Sequence, residues 1–110
     1  MPLAPSDFIH PADKAALEAL TRYLAVELAS HHIVVNAVSP GLVETDALQH
    51  FSFMTEADVI PRTIANTPAG RLVTPEDVAN VVAFLCSPEA AMIRGQVIVV
   101  DGGFSLPVPK

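Results

Sequence analysis

The residues whose types and spacing best suit chemistry lie between positions 39 and 45. Ser39, Pro40 and Gly41 follow an apolar run from Ile33 to Val38 that only Asn36 interrupts. β-branched residues without alternation mark a strand covered on both faces. Proline cannot donate to a ladder, and glycine lets the backbone turn sharply beside a ligand, so 39–41 should stop that strand. Open α/β sheets bind their ligands at the carboxyl ends of parallel strands, which makes 39–45 a candidate binding loop. Ordinary turn chemistry is the alternative for Pro-Gly in this place. Lys14 stands four residues before Glu18 on a charged stripe with Arg22, as an exposed helix face requires. His10 has the near-neutral pKa of a proton donor, but it sits beside a proline in a loose arm. His31 and His32 adjoin and so point apart, which fits a solvated helix end better than a pair of ligands. Four histidines and one cysteine at no ligand spacing leave no metal site. Cys86 cannot form an internal disulfide, and a reducing cytoplasm is the simple inference.

These residues need elements to hold them. Residues 1–11 are punctuated by Pro2, Pro5 and Pro11 and read as a loose arm, with Pro11 suited to the first turn of a helix. From 12 to 30 the spacing predicts a helix. Leu17, Leu20, Leu24 and Leu28 make one apolar flank and Ala16, Ala19, Tyr23 and Val26 a second. A helix apolar on two flanks must be covered on both, by its own sheet and by missing chain or another subunit. After the strand, Thr45-Asp46 opens a short helical piece and Thr55 another towards Ala65. Phe51, Phe53 and Met54 suit a loop folding over an apolar ligand, or one anchored by buried aromatics. Thr74-Pro75-Glu76-Asp77 is a helix start, with a threonine cap, proline at the first position and acids in the first turn. Val78, Val81, Val82 and Leu85 give that helix its apolar face, and Ser87-Pro88 ends it. A second buried strand, 96–100, closes at Asp101-Gly102-Gly103. Two apolar strands joined through a helix form a parallel βαβ unit, the α/β class.

The bulk properties bound the function. A chain of 110 residues is one domain at most. Apolar residues at 51% against 16% charged exclude disorder. A formal charge of -6 with scattered basic residues argues against a nucleic-acid surface. No apolar run approaches the ~20 residues that span a bilayer. Two strands are too few for a sheet that stands alone, so the pattern is part of a doubly wound fold.

The helical run from Lys14 to Leu28, then Val35-Asn36-Ala37-Val38-Ser39-Pro40-Gly41, then Asp101-Gly102-Gly103, resembles the carboxyl-terminal half of the short-chain dehydrogenase/reductases. The resemblance covers residues 14–106. Asp46-Ala47-Leu48, the run from Asn66 to Arg71, and Met92-Ile93-Arg94-Gly95-Gln96 look in particular like the type III enoyl-(acyl-carrier-protein) reductases of fatty-acid synthesis. The resemblance implies a seven-stranded doubly wound sheet of which this chain supplies the last two strands. It also implies a homo-oligomer formed through the 12–30 helix. Lys14 matches the family lysine that holds the nicotinamide ribose and lowers the pKa of a catalytic tyrosine. A phenol with an ordinary pKa of about 10 is otherwise a poor catalyst at neutral pH. Pro40, Gly41, Val43 and Thr45 match the turn that contacts the nicotinamide, with the Val43 backbone reading the carboxamide. Residues 46–65, with Leu48, Phe51, Phe53 and Met54, match the lid over an acyl-thioester substrate.

The chain departs from that pattern ahead of Lys14. The family tyrosine stands four residues before the lysine, or seven in the enoyl reductases, and here those positions are His10 and Asp7. No tyrosine precedes Tyr23, and no glycine-rich dinucleotide loop is present. The expectation is therefore an NAD(P)H-dependent oxidoreductase in truncated form, binding the cofactor weakly and inactive alone. The competing expectation is a catalytically dead module that self-associates or docks on intact reductase subunits.

Overall fold

The computed structural model describes residues 11–45 and 59–106. The expected arm over 1–10, the short helix after Asp46, and Leu48, Phe51, Phe53 and Met54 lie outside the described residues. The elements are α1 (Pro11–Glu27), β1 (Ala37–Pro40), α2 (Val59–Ala65), α3 (Pro75–Leu85) and β2 (Val97–Val100), with short 3-10 turns at Ala29–His31 and Pro88–Ala90. The two strands pair in parallel, Ala37 opposite Val97 through Pro40 opposite Val100, so β1, α2, α3 and β2 form the expected βαβ crossover of an α/β fold.

The strand is shorter and later than the apolar run suggests. It starts at Ala37, while Ile33 and Val34 remain exposed. Asn36 explains the difference. Its side-chain amide donates to the Ile93 carbonyl at 2.8 Å and accepts from the Gln96 N–H at 3.0 Å. A side chain thus ties the two chains together where a ladder rung would stand. The strand also runs through Pro40 instead of stopping before it. Ala37 donates to Gln96 and Gly41 to Val100, so alternate residues face β2 and Pro40 turns its missing N–H to the open edge.

α1 ends at Glu27, earlier than the expected 30. The chain tightens into the Ala29–His31 turn, and His32 at φ 60° reverses it. The helix docks through small residues. Thr21 and Ala25 are its buried positions, and Gly95 comes so close that a Cβ there would lie 3.2 Å from the Ala25 Cβ. Leu24 and Leu28 are half-buried, whereas Leu17, Leu20, Tyr23 and Val26 are 50–80% exposed. The second apolar flank, Ala16, Ala19, Tyr23 and Val26, therefore has no cover among the described residues, and the first is covered only at Leu24 and Leu28.

α3 starts where its cap chemistry places it. The Thr74 hydroxyl accepts from the Asp77 N–H at 3.1 Å while the Asp77 carboxylate accepts from the Thr74 N–H at 2.8 Å, and Pro75 takes the first position. Arg71 adds a two-pronged contact to Asp77 at 2.6 and 3.1 Å. That hydrogen bonding, followed by the Thr74 amide, holds the Asp77 carboxyl well below the usual carboxylate range. Before this helix, Leu72 and Val73 are buried, and Val73 makes an isolated parallel bridge with Val43. Among the described residues no helix is long and apolar enough to cross a membrane.

Candidate functional site

The loop after β1 is gripped on two sides. Gly41 donates to the Val100 carbonyl at 2.9 Å, which carries the ladder one residue past the strand. A Cβ on Gly41 would lie 2.9 Å from the Asp101 Cβ and 3.1 Å from its Cα, both part of a rigid stem. Only glycine allows β1 to turn this close to the end of β2. One residue further, the Leu42 carbonyl accepts from Val73 at 3.3 Å, and Glu44 donates to the Val73 carbonyl at 2.7 Å.

That pairing sets the orientation of Val43. Neighbours on either side of a bridged residue spend their polar groups on the partner strand, so the groups of the residue between them point the opposite way. Leu42 and Glu44 face Val73. The Val43 N–H and C=O therefore turn outward, and neither has a partner among the described residues. One donor and one acceptor on the same residue complement a primary carboxamide, which offers an acceptor oxygen and a donor NH2. Pro40 is exposed at the start of this loop, Gly41 and Val43 are half-buried, and Thr45 is exposed at its far end.

Lys14 belongs to a different element. It is exposed in the first turns of α1. Eleven residues separate it from the docked Ala25, about 16 Å along the helix.

Two features of this site were not singled out from the sequence. Asp101 was read as closing a strand and as part of a family-like motif, with no role in the site, yet it walls the loop at Gly41. Its carboxylate accepts from the Gly103 N–H at 2.8 Å and the Ser105 N–H at 3.0 Å. Hydrogen bonding from the Ser105 side chain, then from these amides, holds it below the ordinary carboxylate range. Val73, which orients Val43, had no local signal beyond being apolar before a cap. A groove of about 340 Å³ lies between α3 and β2, lined by apolar residues and Asn80, with no titratable group. No cluster of three metal-ligating side chains occurs among the described residues.

Comparison with known proteins places this geometry in context. The profile of a family described as Enoyl-(Acyl carrier protein) reductase matches residues 4–105. A tropinone reductase homolog of Arabidopsis thaliana is 42% identical over 101 residues, covering 92% of this chain and 38% of the relative. A 3-oxoacyl-(acyl-carrier-protein) reductase of Vibrio harveyi is 43% identical over 97 residues, covering 86% and 37%. Among solved structures, a short chain dehydrogenase family protein from Francisella tularensis superposes with a TM-score of 0.77 at 28% identity, over 96% of this chain and 46% of that one. A 4-hydroxyisoleucine dehydrogenase complexed with NADH does so at 0.75 and 30% identity, over 88% and 39%. The chain thus spans less than two fifths of the length of the two curated relatives.

Proposed function

The chain belongs to the short-chain dehydrogenase/reductase family, and from that premise we propose that it forms the nicotinamide-seating and lid-bearing part of an NAD(P)H-dependent reductase. The observation that carries this reading is the outward-turned N–H and C=O of Val43, held by the Val73 bridge and the Gly41 turn. When bound, the reduced nicotinamide supplies a hydride. The chain's own residues do the rest. Gly41 brings the backbone close, Val43 orients the carboxamide, and Pro40 and Thr45 bound the loop at either end. Lys14 offers an ammonium to the ribose and to the acid–base group of the reaction. By the family resemblance, the role of covering the substrate falls to Leu48, Phe51, Phe53 and Met54, which lie outside the described residues.

The substrate class we favour is an acyl thioester with a double bond beside its carbonyl, as in the enoyl reductases of fatty-acid synthesis. The family profile supports it, while a relative that reduces 3-oxoacyl thioesters supports the neighbouring carbonyl reduction. The chain has no tyrosine ahead of Lys14 and no glycine-rich loop. We therefore expect weak cofactor binding and no turnover from these 110 residues alone. The test has two arms. NADH at millimolar concentration should shift the amide resonances of Gly41 and Val43 and leave those of α3 in place. NAD(P)H consumption with enoyl or 3-oxoacyl thioesters should not exceed that of a Lys14→Ala control. A shift confined to α3 would refute the loop assignment, and turnover well above the control would refute the predicted inactivity.

A second reading rests on the uncovered flank of α1. Tyr23 and Val26, with Ala16 and Ala19, form a surface on which a second copy or an intact reductase subunit would dock, and the exposed Leu17 and Leu20 extend it around the helix. Such a chain would serve assembly whether or not it binds a nucleotide. The cytoplasm suits either role.

A further inference from the structure

Asp101 stands between two parts of the site that do not otherwise meet through it in sequence. On one side its stem packs against Gly41 at the distances given above. On the other, the turn that its carboxylate holds reaches the segment after α2. The Gly102 carbonyl accepts from the Ala69 N–H at 3.0 Å. A Cβ on Gly102 would lie 2.9 Å from the Thr67 Cγ2, and one on Gly103 would lie 2.9 Å from the Pro68 Cγ. Both glycines have positive φ, 65° and 93°, so the turn depends on them twice over. Thr67 is buried, and its hydroxyl donates to the Thr63 carbonyl at 2.6 Å, which fastens the 67–69 turn to the last turn of α2. Leu42, Thr67 and Asp101 all border one small void of about 10 Å³ where the three segments converge.

We propose that Asp101 is a positioning residue that fixes the spacing between the nicotinamide loop at Gly41 and the 67–69 turn that follows α2. Its functional meaning rests on the nicotinamide reading of the loop, whereas the mechanical link exists with or without a cofactor. A competing route must be separated from it. Residues 67–70 lead directly into Leu72 and Val73, and Val73 bonds Glu44. Glu44 therefore reports that route, while Gly41, bonded to Val100, reports the one through Asp101.

The experiment is amide hydrogen exchange by NMR on the 110-residue chain. Gly102→Ala inserts a methyl group against Thr67 and Ala69 without touching Gly41. Protection at Ala69 should fall, and protection at Gly41 should fall with it by about tenfold, while the amides of α3 keep theirs. Loss at Ala69 and Glu44 with Gly41 unchanged would overturn the proposal, because the coupling would then run through Val73. Should Gly102→Ala unfold the chain, as exchange throughout α3 would reveal, Asp101→Asn against Asp101→Ala decides. The amide keeps one acceptor for Gly103 and should preserve most of the Gly41 protection that the alanine loses. Equal protection in the two refutes the role. NADH added to the unmodified chain then tests the functional reading by itself, since an unshifted Val43 alongside intact coupling would sink that reading and leave the link standing.

Discussion

Replacing Val26 by aspartate should abolish self-association of this chain. Leu17, Leu20, Tyr23 and Val26 are 61%, 50%, 65% and 80% exposed. At about 2 kcal/mol for each fully buried apolar side chain, covering what remains exposed is worth about 5 kcal/mol per copy, or about 10 per pair. Association costs about 4 kcal/mol at the low end of its range, and with that cost the pair should form with a dissociation constant of about 40 µM. Val26 accounts for about 1.6 kcal/mol per copy, and a carboxylate there removes about 3 kcal/mol from the pair, a loss of about two decades. Light scattering after size exclusion, from about 10 µM to 1 mM chain, is the assay. The unmodified chain should shift from monomer to dimer across that range, and Val26→Asp should stay monomeric. A monomer at every concentration, or a Val26→Asp variant that associates like its parent, refutes the claim that these exposed side chains need a partner.

Thr74→Ala should destabilise the fold by about 1 kcal/mol through the lost cap of α3, lowering a thermal midpoint by about 4–8 °C. Asp77 and Asp101 both have depressed native pKa values. Their stabilisation is thus complete above the ordinary carboxylate pKa of about 4 and is lost as pH falls through the native values. The urea midpoint should be flat from neutrality to about pH 5 and drop below about pH 4, and Asp77→Asn should remove part of that drop. Gly95→Ala, at φ 70° against Ala25, should cost about 1–3 kcal/mol. An added Ala25→Gly should recover the steric share only, as chemical denaturation would read. Lys14→Ala should change stability by less than about 0.5 kcal/mol, since the side chain is exposed, while weakening the NADH-induced shifts.

What could be read from the chain was whatever local chemistry decides. The start of α3 followed from Thr74, Pro75 and Asp77 because a cap closes within one turn. The span of β2 followed from four β-branched residues between a glycine turn and Asp101. Elements decided by distant neighbours were misjudged. Nothing near Ile33 says that Asn36 will spend its side chain on Ile93 and Gln96, and so delay the strand to Ala37. The leucine spacing of α1 is genuine, yet Gly95 approaches so closely that Thr21 and Ala25 take the docking positions and Leu17 and Leu20 stay outside. Asp101 and Val73 entered the site for the same reason. They lie sixty and thirty residues beyond Gly41 and Val43, and only the parallel register brings them there.

The outward turn of Pro40 has an effect on whatever strand lies along the free side of β1. Such a neighbour can hydrogen-bond as far as Val38, finds no N–H at the next outward-facing position, and must part company with β1 there. The divergence opens a notch at the very height where Gly41 bends away, so a single imino acid both discourages indiscriminate strand addition and keeps the mouth of the loop ajar.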